Sequence, residues 1–369
     1  MRVTMLDLPR QLAALAPALR AAFERVLADG RFVGGPEVAR FEQRVAARLS
    51  VPHALGVSSG SDALVVALSA LDVGAGHEVL TSAYSFVATA ESILRVGARP
   101  VFVDLPPDGF NLDAAAALAA LTPRTRALLP VHLFGEPCAL QALLDAAERA
   151  GAVVVEDCAQ AFGATLGARA VGTLGAAGAF SFFPAKVLGG FGDGGLVTTA
   201  SLSTATRVRA LRQHGRTGPE RYEAAGGNYR LDALQAALLD VALEHVDGFI
   251  AARRQSAREY AQALAGLGGL VVPPPSEGHV FGCFTLRVLD GRRDALARHL
   301  SERGVETAVY YPTPLPLQPL FAALGHRAGE FPNAERAAGE ALSLPVHPAL
   351  TASERGRVLD AVLEFFRSR

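Results

Sequence analysis

Between about residues 54 and 200, short β-branched runs alternate with helix-length segments, and this alternation limits the fold more than any other feature. The runs are His53–Val57, Glu78–Leu80, Pro100–Asp104, Ala127–Leu133 and Ala152–Glu156. Strands joined through helices run parallel, so the pattern predicts an α/β fold: a largely parallel sheet with helices on both faces. Two more apolar runs, Ala179–Phe183 and Gly195–Thr199, flank a glycine-rich stretch and are expected to form a hairpin-like edge of a mixed sheet. A helical region from about Leu231 to Leu267 leads away, and Val272-Pro273-Pro274-Pro275 marks a change of domain. Beyond it, Cys283–Leu289, the helix-like Asp294–Arg303 and Glu306–Tyr310 are expected to make a small α+β unit, closed by helices near 333–342 and 352–367. The segment before residue 50 reads as an amphipathic helical arm. The expected division is an arm with a large domain over 1–245, and a linking helix with a small C-terminal domain over 246–369.

A formal net charge of −1 supplies no field for nucleic acid or an anionic membrane, and neither partner is expected. Apolar stretches are broken well before the roughly 18 residues that span a bilayer. The first ten residues carry Arg2, Asp7 and Arg10 and no apolar run, so no signal peptide is expected and the protein reads as cytoplasmic. Cys138, Cys158 and Cys283 make neither a disulfide framework nor a zinc pattern, and read as free thiols. The nine histidines are scattered without HExxH spacing, so no metal site is expected.

One count does point to chemistry. Lysine and arginine together number 35, and Lys186 is the single lysine. Arginine serves wherever only positive charge is needed, whereas a neutralisable primary amine requires lysine. By count alone, chance survival of a surface lysine explains Lys186 equally well.

Three constellations give that lysine a context. Ser58-Ser59-Gly60-Ser61-Asp62-Ala63 stands at a strand-to-helix junction. Free N–H groups, a glycine and hydroxyls there suit a phosphate, although an ordinary serine cap has the same pattern. No GxxxxGK[ST] is present, so a nucleoside-triphosphate loop is not supported. Glu156-Asp157-Cys158-Ala159-Gln160 ends a parallel run where open α/β sheets bind ligands, and its carboxylates could take a metal, a ribose or a protonated ring nitrogen, or cap a helix. Lys186 itself follows Ser181-Phe182-Phe183-Pro184-Ala185 and precedes a loop crowded with glycine, which suits an amine in a close-fitting site. A phosphate, a ring wanting an acid and an aldehyde for the amine are the three parts of pyridoxal 5′-phosphate (PLP).

With those residues in view, the chain resembles the DegT/DnrJ/EryC1/StrS sugar aminotransferases. The matching stretches run nearly end to end: Gly34-Gly35-Pro36-Glu37-Val38, Ser59–Leu64, Ser85-Phe86-Val87-Ala88-Thr89, Val131-His132-Leu133-Phe134-Gly135, Glu156–Gln160, Ser181–Lys186, Asn228-Tyr229-Arg230-Leu231-Asp232 and Ser343–Pro348. Each is weak alone; their order and spacing are specific. The resemblance implies a fold-type I PLP-dependent transferase with a mixed, mostly parallel seven-stranded sheet and a smaller C-terminal α+β domain. It implies that Lys186 forms the Schiff base and then shuttles the proton. Asp157 would pair with the pyridinium, Gln160 would bond the phenolic oxygen, and Phe86 would stack on the ring, although Phe86 also fits plain core. Gly60, Ser61, Asp62 and Ser181 would hold the phosphate, and Asn228 would reach it from the second subunit of a homodimer.

The implied reaction passes an amino group from glutamate, through pyridoxamine phosphate, to a keto group of a nucleotide-linked sugar. The Phe191–Gly195 and Phe182–Pro184 forms resemble 3-aminotransferases, above all those acting on UDP-linked 3-keto-2-acetamido uronic acids. A substrate carboxylate would need a cation, for which Arg230 and Arg31 are the candidates; Arg230 fits an ion pair with a structural acid equally well. Phe162 stands where many members have histidine, and Tyr310 and Tyr311 stand where many have a His-Tyr-Pro motif, so the tyrosines are the expected sugar contacts. Alternatives are a dTDP-linked 3-keto or 4-keto-6-deoxy sugar, a cyclitol ketone, a sugar dehydratase or a non-catalytic regulator. The dehydratases of this group replace the lysine with histidine, which counts against that reading. Lys186→Arg keeps the charge and loses the chemistry: the purified variant is expected to show no turnover, and native-rate turnover would overturn the assignment.

Overall fold

The computed structural model describes residues 2–367. After a short helical turn over Leu8–Leu12, an arm with the longer helices α1 (Ala16–Asp29) and α2 (Pro36–Leu49) leads into β1 (His53–Val57). There follow α3 (Gly60–Ala70), β2 (Glu78–Ser82), α4 (Val87–Arg95), β3 (Arg99–Val103), α5 (Ala114–Ala119), β4 (Thr125–Leu129), α6 (Gln141–Ala150) and β5 (Val153–Asp157). Next come β6 (Ala177–Ser181), β7 (Gly195–Thr199), α7 (Leu202–Leu211), α8 (Ala233–Leu243) and α9 (Val246–Leu264). The C-terminal part holds β8 (Leu270–Val271), β9 (Phe284–Val288), α10 (Arg293–Glu302), α11 (Pro332–Glu340), β10 (Ala341–Leu344) and α12 (Ala352–Arg367).

The seven-stranded sheet has the order β1-β7-β6-β5-β4-β2-β3. The pairings of β2, β3, β4, β5 and β6 are parallel, and β7 runs antiparallel to both neighbours. Helices cover both faces, so strands such as β2 and β7 are buried at every position, their polar residues included. The β6–β7 pair is antiparallel as expected, but it is not an edge. β1 adds to β7 through Val57↔Gly195 to His53↔Thr199, because a strand buried at every position must satisfy its hydrogen bonds on both sides. The expected helix over Leu231–Leu267 is two helices. The N–H groups of Glu244 and His245 reach back only three residues, which interrupts the α-helical ladder between the buried α8 and the amphipathic α9.

The C-terminal unit carries the sheet β8-β9-β10. Glu306–Tyr310 is not a strand; its pairing is the single bridge Ala308↔Ser343. The two ends of the chain meet here, with Val3 paired to Val305 and the Arg10 guanidinium on both Glu354 carboxylate oxygens at 3.0 Å. Helix α11 packs onto the large sheet, where Phe331 and Ala334 join Ala83, Tyr84 and Phe102 in one apolar cluster. The C-terminal unit therefore sits over the carboxyl ends of the parallel strands.

The end of β5 is two-sided. Successive side chains on a strand point to opposite faces, so Glu156 and Asp157 part company. Glu156 is fully buried and accepts N–H groups from Gly172, Leu174 and Gly175 at 2.7–2.8 Å, with His132 Nε2 at 3.1 Å. It staples the loop before β6 to the sheet. Burial alone would raise its pKa, but His132 and the backbone donors hold it below the ordinary 4.5. A depressed carboxyl stabilises the fold above its unfolded pKa and ceases to do so as pH falls through the folded value. Glu156→Gln is expected to cost about 2–3 kcal/mol at neutral pH, and less on acidification below pH ~4.5, in thermal or urea unfolding. Equal stability of the two proteins at pH 7 would refute the staple.

Candidate active site

Asp157, on the other face of β5, opens into a cavity of 580 Å³ between the large sheet and the C-terminal unit. Lys186 lines the same cavity. It stands in a tight turn after β6, its N–H donating to Phe183 O at 2.8 Å. The glycines of that turn are steric necessities: a Cβ at Gly189 would lie 2.2 Å from the Pro184 carbonyl oxygen. Burial lowers the Lys186 pKa from 10.5, with Cys283 and Asp157 acting in the opposite direction. Among the described residues its amine has no hydrogen-bond partner and no ion pair.

Both carboxylate oxygens of Asp157 accept a hydrogen bond. The Thr89 hydroxyl donates to Oδ2 at 2.8 Å and the Ala159 N–H to Oδ1 at 3.1 Å, while Thr89 also meets Ser85 Oγ at 2.8 Å. Burial raises its pKa above 3.8, against those two donors and the charge of Lys186. No cation pairs with it among the described residues. Among the described residues a buried acid without a cation thus shares the cavity with a partly desolvated amine without an acceptor.

The opposite wall is the start of α3. The Ser59 hydroxyl caps the helix by accepting the Asp62 N–H at 3.0 Å, which leaves the Gly60 and Ser61 N–H groups without a helical acceptor. Gly60 approaches Ser181 so closely that a Cβ would sit 2.6 Å from the Ser181 Cβ. Ser59, Gly60, Ser61 and Ser181 all line the cavity. The Asp62 carboxylate points elsewhere, to Ser58 Oγ at 2.7 Å and Arg95 at 3.0 Å.

Aromatic and amide groups complete the walls. Phe86 is 54% exposed yet lines the cavity 6.0 Å from the Tyr311 ring, so it is not plain core. Gln160 accepts the Phe134 N–H at 2.6 Å and donates through Nε2 to Tyr311 Oη at 3.1 Å. Tyr84 binds the backbone on both sides of the Tyr310–Tyr311 bond, donating to Tyr310 O and accepting from the Tyr311 N–H, each at 2.6 Å. The fold thus brings together Gly60, Ser61, Phe86, Asp157, Gln160, Ser181, Lys186, Tyr310 and Tyr311. It does not bring in Asn228, Arg230 or Arg31. Asn228 pairs with Gln213, Arg230 bridges Val57 with no ion pair to an acid among the described residues, and Arg31 is exposed against Gly35. Phe162 packs on Phe180 and Phe182, away from the cavity.

Thr89, Cys283 and Arg253 are among the lining residues that were not candidates from the sequence. Thr89 lies one turn after Ser85, and that spacing could have marked the pair. Arg253 falls on the buried stripe Val246, Ile250, Ala257, Tyr260 and Leu264, where an arginine is out of pattern. Nothing in the sequence marks Cys283.

The family model of the DegT/DnrJ/EryC1/StrS aminotransferase family matches residues 15–363. The chain belongs to that family. It is a PLP-dependent sugar aminotransferase, with an α/β fold built on a mixed, mostly parallel seven-stranded sheet. A "pleiotropic regulatory protein" of Geobacillus stearothermophilus is 44% identical, covering 100% of this chain and 99% of its own. A dTDP-3-amino-3,4,6-trideoxy-α-D-glucose transaminase of Streptomyces venezuelae is 43% identical over 99% of this chain and 96% of its own. A UDP-2-acetamido-2-deoxy-3-oxo-D-glucuronate aminotransferase of Pseudomonas aeruginosa is 38% identical over 94% and 96%. The crystal structure of S. venezuelae DesV with a ketimine intermediate superposes with a TM-score of 0.96 at 42% identity, covering 100% of this chain and 99% of that one.

The family's cofactor fits these residues. Gly60→Ala is expected to push α3 from Ser181 and weaken PLP binding at least about 10-fold, read by titrating the cofactor absorption band. Unchanged affinity would remove the α3 start from the site.

Proposed function

We propose that this aminotransferase moves the amino group of glutamate to the C3 keto group of a UDP- or dTDP-linked hexose. The observation that carries the reading is Lys186, the chain's one lysine, desolvated and without an acceptor, in the same cavity as an Asp157 that has no cation. PLP, when bound, supplies an aldehyde carbon for that amine and a protonated ring that draws electrons from the reacting bond. Asp157 would hold the ring nitrogen, oriented by Thr89; Gln160 would serve the phenolic oxygen, and Phe86 a ring face. The open N–H groups of Gly60 and Ser61, with the hydroxyls of Ser61 and Ser181, form an anion cradle suited to the phosphate. Asp62 serves by position alone, its carboxylate being tied to Ser58 and Arg95. Desolvation favours the neutral form of Lys186, so Nζ can take a proton from the substrate carbon and return it.

Asn228 and Arg230 lie outside the cavity of their own subunit, which supports service in the partner's site of a homodimer. Exposed Phe23, Leu27, Phe32 and Val33 on and after α1 supply apolar surface for such a contact. Among the described residues no helix is long and apolar enough to cross a membrane, and the three thiols are free, in keeping with a reducing compartment such as the cytoplasm.

Both enzyme relatives named above carry the amino or keto group at C3, one on a dTDP sugar and one on a UDP uronic acid, which supports that carbon over C4. Tyr310 and Tyr311 line the cavity where sugar hydroxyls would be met. The test is a panel of UDP- and dTDP-linked keto sugars with L-glutamate and the PLP-loaded protein. A 3-keto sugar is expected to yield an amino sugar and 2-oxoglutarate in equal amounts. Inertness of every keto sugar, with amination of a free keto acid or cyclitol ketone, would overturn the proposal. A sugar product without nitrogen would overturn it in favour of a dehydratase.

A further inference from the structure

Two arginines are buried to 3% exposure among the described residues, and their surroundings differ. Arg287 pairs with Glu340 at 2.8 Å. Arg253, on the buried stripe of α9, has no carboxylate partner among the described residues. Its Nη1 donates to the carbonyl oxygens of Phe281 at 3.4 Å and Gly282 at 3.3 Å. Its Nε is buried without an acceptor, and among the described residues the hydrogen bonds of the guanidinium come from Nη1 alone. Nε and Nη2 form one edge of the guanidinium, the edge whose two N–H bonds match the two oxygens of a carboxylate.

No neighbouring group neutralises it. Burial pushes the Cys283 thiol up, so it is uncharged at neutral pH. Burial pushes the His347 imidazole down to about 4, and both its ring nitrogens lack partners. Arg253 itself is lowered by burial to about 10, which still leaves it a cation at neutral pH. A buried, uncompensated charge of this kind is costly unless a ligand brings the opposite charge. Arg253 lines the cavity that holds Lys186, and Cys283 lies within electrostatic reach of both.

We propose that Arg253 is the carboxylate receptor for the amino donor, gripping a carboxylate of glutamate along its Nε–Nη2 edge while the donor's nitrogen is presented towards Lys186. The two carbonyls on Nη1 fix the plane of the guanidinium, so the free edge is preorganised. The proposal rests on the aminotransferase reading above and adds a subsite to it. A hexose that carries no carboxylate brings nothing for this edge to grip, so with such a sugar the two half-reactions depend on Arg253 unequally.

The experiment compares wild type, Arg253→Met and Arg253→Lys as PLP-loaded proteins, following the cofactor absorbance in single turnovers. One arm adds L-glutamate; the other adds the amino-sugar product, which runs the second half-reaction backwards. The Met variant is expected to lose about 100-fold in kcat/KM for glutamate and the Lys variant about 10-fold. Both should stay within about 3-fold of wild type with the amino sugar. Equal losses in both arms would assign Arg253 a structural role, and an undiminished glutamate arm would remove the subsite; either overturns the inference. Should Arg253→Met fail to hold the cofactor, the Lys variant decides by the same comparison, since it keeps the charge and the packed stem. Wild type unresponsive to both additions would overturn the aminotransferase reading itself, which is distinguishable from a responsive wild type with indifferent variants.

Discussion

Alternation at the end of β5 is the constraint on which the site depends. Because adjacent strand residues face opposite ways, Glu156 and Asp157 can be neighbours in the chain and serve different layers. Glu156 turns into a shell of three backbone N–H groups and His132, which fixes the loop preceding β6. β6 ends at Ser181, and five residues later the turn presents Lys186. Asp157 turns the other way and meets Lys186 across the cavity. The strand that binds one carboxylate for architecture exposes the next for chemistry, and neither role survives a one-residue shift in register.

The C-terminal unit converts this exposed strand end into a desolvated site. Helix α11 packs on the large sheet, and the Tyr310–Tyr311 backbone is clamped by Tyr84 from β2's carboxyl end. Gln160 ties the two walls together, taking the Phe134 N–H on one side and giving its own to Tyr311 on the other. Closure lowers the Lys186 pKa and raises that of Asp157 by the same cause: each charged form loses water. A ligand that supplies a positive ring nitrogen and an electrophilic carbon relieves both penalties. Arg253 is the same physics at the far wall, a cation whose counter-charge has to arrive from outside.

Much of the site was legible because its residues are local. Lys186 stood out as one lysine among 35 basic residues, and Asp157–Gln160 and Ser59–Asp62 each lie in a single strand-to-helix junction. The parallel character of the sheet follows from repeated strand–helix units, and its seven strands from the family resemblance. The errors concern long-range choices. Whether β7 is an edge depends on β1, which lies about 140 residues earlier and pairs only when the sheet closes. Glu306–Tyr310 has strand-like character, but its pairing with β10 is the single bridge Ala308↔Ser343. The Asp62 carboxylate is bound by Arg95 from α4, a contact no local pattern announces.

The sequence by itself determined the sheet's parallel character, the identity of the amine and acid, and the glycines that let backbone approach backbone, since these follow from periodicity and residue chemistry. Only the tertiary structure decided which groups lose water together. Phe86 lines the cavity rather than the core, Thr89 orients Asp157, and Arg253 stays unpaired, because burial and partnership depend on elements up to several hundred residues apart. The physical reason is that desolvation belongs to the closed cavity rather than to any one segment, so the pKa shifts and the unmet hydrogen bonds exist only once both units are in place.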